Sequence, residues 1–298
     1  MTDPQVLRDG TWTTITPEIA GWSYISFGVA KVDTGEILKV SADESEHVLV
    51  NLRGHVTVQV GDDRFELGGR ANVFDGVGSC VYLPRNMDAT IIGVDRAEIA
   101  IAAAPSSEDH EVVYVPGSSI ETVARGAGTA SRQVATSLPP SFAADRLHVV
   151  EVWTPGGNWS SFPPHKHEHD EVGEAKLEEI YYYRLRDPEN GWALQRVYSP
   201  ERDFELATAV HDGDICLIPW GYHTTVAAHG QDLYYLNVLA GPAPARTLQA
   251  REDPHLASVR ETWEHLGVDA RLPVVPGRFT NPSSAKGPGQ VQGKGAAR

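Results

Sequence analysis

Positive charge is in short supply in this sequence. Against 40 Asp and Glu there are 25 Lys and Arg, a formal net charge of −15, and no basic stripe or helix-turn-helix pattern stands out. Nucleic-acid binding needs a positive footprint, so DNA and RNA are not expected partners. Cysteine is almost missing as well. Cys80 and Cys216 are the two in 298 residues, too few for a disulfide framework, and both sit in apolar strand-like runs where an inert buried thiol is the expectation. No apolar run approaches the ~18 residues that span a bilayer. The opening Met-Thr-Asp-Pro-Gln has neither the basic nor the apolar segment of a signal peptide. These absences leave a cytoplasmic protein with no membrane partner, long enough for two domains of about 120–150 residues each.

What is present is mostly strand. From Trp22 onward, short runs rich in β-branched and aromatic residues alternate with Gly, Asp and Asn turns. Examples are His47-Val-Leu-Val-Asn-Leu, His55-Val-Thr-Val-Gln-Val, Cys80-Val-Tyr-Leu and Ala89-Thr-Ile-Ile. This spacing predicts an all-β sandwich or barrel rather than βαβ units. Loop-rich text between Ser106 and Ser131 marks an inter-domain crossing, and the strand pattern resumes at Arg146. The halves carry a weak repeat: Gly78 and Pro84 match Gly213 and Pro219, which sets Asp88 opposite His223. Two copies of one barrel unit explain this economically. The predicted divisions are 1–120 and 121–250 for the barrels, then 251–272 for a C-terminal helix with Asp253 as N-cap and Pro254 at N1. From 273 to 298, Gly, Pro, Ser and Lys dominate, and a disordered tail is expected.

The chemistry-bearing text is in the second half. Pro164-His165-Lys166-His167 places two imidazoles at i and i+2, which face the same side of a strand. Leu177-Glu178-Glu179-Ile180-Tyr181-Tyr182-Tyr183 then supplies a carboxylate, either Glu178 or Glu179, and Gly213-x5-Pro219-x-Gly221-x-His223 supplies a third imidazole. Three His and one Glu suit a divalent zinc, manganese or iron ion with positions left open for substrate. If Glu179 faces the ion, the period of two sends Tyr181 and Tyr183 inward and turns Ile180, Tyr182 and Arg184 away. The first half has no HxH.

The two motifs resemble those of cupins, HxH…E followed by G-x5-P-x-G…H. There are two departures: an inserted loop over 168–177, which could cover the mouth of the site, and His223 one residue early. More specifically, Val150-Glu-Val-Trp-Thr-Pro-Gly-Gly-Asn-Trp, Leu177-Glu-Glu-Ile-Tyr-Tyr-Tyr, Leu194-Gln-Arg-Val-Tyr and Asp232-Leu-Tyr-Tyr-Leu-Asn-Val resemble the 5-deoxy-glucuronate isomerase family of bacterial myo-inositol catabolism. So do Tyr24-Ile-Ser-Phe-Gly and Arg132-Gln-Val in the first half and at the crossing. The similarity to 4-deoxy-threo-hexosulose-uronate ketol-isomerases is more distant. The resemblance implies a bicupin of two tandem jelly-roll barrels, the first without metal ligands. It also implies metal ligands at His165, His167, Glu179 and His223, with Glu179 preferred over Glu178.

The activity implied is isomerisation of 5-deoxy-D-glucuronate to 5-dehydro-2-deoxy-D-gluconate. The cofactor would be a divalent ion, zinc or manganese foremost, with no organic cofactor. Glu178, His169, Tyr181 and Tyr183 are candidate proton shuttles. The substrate carboxylate calls for an Arg or Lys fork, for which Arg196, Arg132 and Lys166 are candidates; Gln195 and Trp159 are further lining candidates. The partner expected is a small sugar acid, with a homo-oligomer as the assembly. The competing classes are an Fe(II)-dependent cupin dioxygenase and a non-enzymatic sugar-binding bicupin.

Overall fold

The computed structural model describes residues 2–41, 43–242 and 246–281. Nearly all the regular structure is antiparallel sheet, and it forms a bicupin of two jelly-roll barrels packed side by side. The N-terminal barrel is built on Ser45–Val60, a 16-residue strand that pairs at one end with Cys80–Leu83 and Ala97–Pro105 and at the other with Asp63–Arg70 and Ala89–Gly93. A single strand can serve both sheets because its register slips twice, after Asn51 and after Gly54, and such bulges bend a strand across a barrel corner. Gly54 has φ +71°, and a Cβ there would lie 2.2 Å from the Arg96 carbonyl oxygen. Only glycine makes that corner.

The C-terminal barrel has two facing sheets. One runs in the order Gln5–Leu7, Ile215–Ile218, Glu178–Leu185, Leu233–Ala240, His148–Thr154, Arg132–Thr136, Thr122–Arg125 and Phe279–Thr280. The other runs Phe204–Val210, Ala193–Ser199, Tyr222–Ala227, Trp159–Lys166 and Arg251–Glu252. The chain's first strand therefore crosses over and pairs with the C-terminal barrel.

Strand periodicity decides what each barrel holds. On Glu178–Leu185, Ile180 and Tyr182 point to the interface between the barrels. There they pack with Phe27, Val48, Val50, Tyr82, Trp153 and Tyr234 in one continuous core. Tyr181, Tyr183 and Leu185 point the other way, into the C-terminal barrel. Both faces are covered, so Leu233–Ala240 is buried at every position and shows no polar alternation. The interior of the N-terminal barrel is closed by Leu49, Val56, Val58, Val81, Leu83, Ile91 and Ile99. It is a packed apolar core.

Two buried carboxylates tie the barrels together in near-mirror fashion. Glu46 of the first barrel accepts the backbone N–H groups of Asp145, Arg146 and Leu147 at 2.7–2.8 Å. Glu178 of the second accepts those of Ser23, Tyr24 and Ile25 at 2.6–3.2 Å. A third, Glu151, pairs with the buried Arg70 at 2.7 Å and accepts from Tyr234 and from the Gly78 N–H.

Two expectations change at the C-terminus. The C-terminal helix is present but shorter than 253–266: one α-helical segment, Val259–Thr262, lies between two 3-10 turns, Pro254–Leu256 and Trp263–His265. Asp253 does cap the first, accepting from the His255 N–H, but no helical residue is buried, and an unburied short helix has little to hold it. The expected tail begins later than Pro273. Val275 is buried and exchanges two hydrogen bonds with Gln133, and Phe279–Thr280 pairs with Thr122–Arg125. The remainder of that expectation, 282–298, lies outside the described residues. No helix among the described residues is long and apolar enough to cross a membrane.

Candidate metal centre

Three strands of the C-terminal barrel bring the site together. Trp159–Lys166 pairs with Tyr222–Ala227 so that His165 lies directly opposite His223. The first strand runs on from Ser160 to His165 while its partner moves only from Thr225 to His223. The extra residues bulge out through Pro163 and Pro164, neither of which can donate a ladder N–H. Ser161, in this bulge, has φ +55°, an uncommon conformation for a residue with a side chain. Glu179 comes from the facing sheet, beside the wall formed by Ile218 and Leu239.

His165, His167 and His223 each offer a ring nitrogen within 4.8 Å of the others. Their ring centroids are 4.5, 5.1 and 6.1 Å apart. His167 Nδ1 lies 2.9 Å from the Leu177 carbonyl, and His223 Nδ1 lies 3.0 Å from the Gly221 carbonyl. A carbonyl only accepts, so each Nδ1 carries a proton, and in the neutral ring each Nε2 presents a lone pair. Both Nε2 atoms face the same carboxylate oxygen, Glu179 Oε2, at 2.8 and 3.0 Å. His223 Nε2 is buried with no directed hydrogen bond. Lone pairs converging on a carboxylate repel one another unless a proton or a cation stands among them. The donor set therefore fits a divalent ion, and the carbonyl partners are the supporting contacts that orient metal-binding imidazoles.

With no ion present, the charges fall as they would for a proton standing between His167 and Glu179. Burial raises the Glu179 pKa, but the contacts with His167 and His223 outweigh it and hold the carboxyl at about 2. Burial lowers His167, and its bond to Glu179 more than restores it. His165 has no such bond, and burial with two neighbouring imidazoles keeps it well below its ordinary value.

The site opens into a cavity of about 250 Å³. Larger cavities of about 440 and 320 Å³ are lined by residues of both barrels, such as Phe74 with Arg186 and Trp12 with Asp212, but no histidine lines either. Of the residues singled out from sequence, Arg132, Tyr181, His165, His167 and Glu179 line the 250 Å³ cavity. Tyr183 and Gln195 are in the barrel interior but are bonded to each other at 2.7 Å, away from the cavity.

The fold places five candidates away from the cavity. Glu178 faces the inter-barrel interface and is fully engaged as a backbone acceptor. Lys166, between the two histidines, points to the opposite face and pairs with Glu168 at 2.8 Å. Arg196 is turned outward to Glu205 and over the Tyr198 ring. His169 is half exposed beside Glu168. Trp159 is at the surface against Phe162. Of the inserted loop, only Leu177 lines the cavity.

Sequence reasoning missed Arg125, Ser161, Tyr235 and Asn237, all in the cavity wall. Tyr235 and Asn237 follow the same period of two as Tyr181 and Tyr183, so alternation along 232–238 was the available signal.

The chain matches the KduI/IolB family over residues 1–259. It is 38% identical over 258 residues to a 5-deoxy-glucuronate isomerase of Geobacillus thermodenitrificans, covering 86% of this chain and 93% of the relative. It is also 38% identical over 229 residues to one from Shouchella clausii, covering 76% and 84%. Among solved structures, an IolB-like protein from Salmonella typhimurium LT2 superposes with a TM-score of 0.82 at 34% identity, covering 86% of this chain and 98% of the other. Bacillus subtilis oxalate decarboxylase, described with Mn(II) centres, superposes with a TM-score of 0.57 at 11% identity over 86% and 82%, a likeness of fold alone.

Proposed function

Because the chain belongs to the KduI/IolB family, we propose that it is an aldose–ketose isomerase converting 5-deoxy-D-glucuronate to 5-dehydro-2-deoxy-D-gluconate in cytoplasmic myo-inositol degradation. Residues 121–250 are the catalytic barrel, and residues 1–120 keep the fold without ligands. His165, His167, Glu179 and His223 hold a divalent ion, zinc or manganese foremost. The observation that carries this reading is the convergence of the buried Nε2 atoms of His167 and His223 on one Glu179 oxygen, with His165 alongside.

The bound ion would supply Lewis-acid polarisation at the C1–C2 end of the sugar. The chain's own residues do the rest. Val134, Val150, Val152, Leu239 and Leu248 form an apolar wall that keeps water from the reacting carbons. Tyr181 is the shuttle candidate that lines the cavity. Burial, aided by Glu179, raises its pKa well above the ordinary phenol value. At neutral pH it therefore holds its proton and donates rather than accepts. Its hydroxyl is 3.1 Å from Ser161 Oγ, a contact in which either oxygen can donate; with Ser161 donating, the phenol proton is free to point into the cavity.

The test is NMR of the protein with 5-deoxy-D-glucuronate in D2O, with and without a chelator. Conversion that stops on chelation and returns with zinc or manganese supports the reading. No conversion under any metal, or conversion indifferent to chelator, refutes it.

A further inference from the structure

Thr122–Arg125 and Arg132–Thr136 are adjacent antiparallel strands, and their register sets Arg125 directly opposite Arg132. Like charges at facing positions of a ladder repel and destabilise the pair. Both side chains line the cavity that holds His165, His167 and Glu179. Among the described residues neither arginine has an ion pair. Arg132 has one long hydrogen bond, 3.4 Å to the Ala130 carbonyl, and Arg125 has none that is resolved. The arginines that line the two larger cavities, Arg53, Arg184 and Arg186, each meet a carboxylate. Burial lowers the Arg132 pKa, and Arg125 adds to the effect. In the cavity wall itself Glu179 is the sole carboxylate, and it is engaged by His167 and His223.

We propose that Arg125 and Arg132 form a two-arginine fork that binds the carboxylate of the sugar acid, orients its C1–C2 end toward the His165–His167–His223–Glu179 cluster, and selects acids over neutral sugars. This deepens the isomerase reading and rests on it for the identity of the substrate, though not for the anion site itself. A carboxylate set between two guanidinium groups accepts charge-assisted hydrogen bonds from both and removes their mutual repulsion. Tyr235, whose phenol lies in the same wall, is suited to the sugar hydroxyls between the two ends.

The experiment uses the full chain loaded with zinc. Binding of D-glucuronate and of D-glucose is measured by calorimetry, and melting temperature with and without inorganic sulfate, for the native protein, R132Q, R125Q and R132K. The fork predicts that glucuronate binds in preference to glucose and that sulfate raises the native melting temperature and competes with glucuronate. It predicts roughly 10- to 100-fold weaker glucuronate binding in R132Q, a smaller loss in R125Q, and partial retention in R132K. It also predicts that R132Q without ligand melts no lower than the native protein, since a repulsion has been removed. A merely structural arginine would lower it.

Equal glucuronate binding by R132Q and the native protein, or a sulfate-insensitive native protein whose melting temperature falls in R132Q, overturns the fork. The latter would mean that a neighbouring copy supplies the counter-charge. Arginine-dependent glucuronate binding without isomerisation of 5-deoxy-D-glucuronate would remove the isomerase reading and leave the fork standing. Undiminished isomerisation by R132Q would do the reverse.

Discussion

Replacing Glu178 by Ala separates two roles that the same residue could play. As a proton shuttle it would matter to turnover alone. In the structure it instead accepts three backbone N–H bonds from residues 23–25 at 2.6, 2.8 and 3.2 Å, between the barrels. It is 7% exposed. Burial raises its pKa and the three N–H donors act against that rise. Hydrogen bonds to a charged acceptor contribute about 1.5–3 kcal/mol each. These three share one carboxylate and do not add, and removal also leaves buried donors unpaired, so a loss of about 3–5 kcal/mol is expected. That is a large share of the roughly 5–15 kcal/mol that holds a domain folded. The assay is urea unfolding of the zinc-loaded protein, with turnover measured per folded, metal-loaded molecule. The expected result is a much lower unfolding midpoint with kcat within about twofold of native. A 100-fold or greater fall in kcat, the usual contribution of acid–base catalysis, with an unchanged midpoint would refute the assignment.

Other outcomes follow from the same contacts. Glu46→Ala, which strips the reciprocal acceptor from Asp145, Arg146 and Leu147, should destabilise by a similar amount, about 3–5 kcal/mol in urea unfolding, with bound metal unchanged. Tyr181→Phe removes the cavity hydroxyl without disturbing the ring contacts with Tyr235 and Tyr183; kcat should fall roughly 100-fold with little change in KM, and a raised KM with kcat unchanged would mean a binding role instead. His148 is buried, and burial together with Arg246 depresses its pKa to about 3. Its folded pKa is below the unfolded value of about 6.5, so the unfolded chain takes up the proton first as pH falls. Stability from this residue is complete above about pH 6.5 and lost below it, by about 2 kcal/mol at pH 5. His148→Gln should flatten that part of the stability–pH curve by the same amount.

Much of the centre was legible because a strand has a period of two. HxH put His165 and His167 on one face, and the same count from Glu179 placed Tyr181 and Tyr183 inward. Applied without exception, the rule also removes Lys166, which lies between the histidines, and Arg196, which follows the inward Gln195. Both corrections were available in the sequence. The role of Glu178 was not, because its three donors arrive from the other barrel, more than 150 positions away. Nor was the Arg125–Arg132 pairing, which depends on the register of a hairpin whose turn includes Gly126 and Gly128, both at positive φ. The C-terminal helix is shorter than its cap chemistry predicts. Caps start a helix, but burial sustains it, and Leu266 is 48% exposed.

The central claim is that His165, His167, Glu179 and His223 hold one catalytic divalent ion. Its most direct test is metal content and isomerisation measured together on the native protein and on Glu179→Ala and His223→Ala, each shown to be folded by circular dichroism. The account predicts about one ion per chain in the native protein, with ion and turnover lost together in both variants. Variants that keep their metal and their turnover would contradict it.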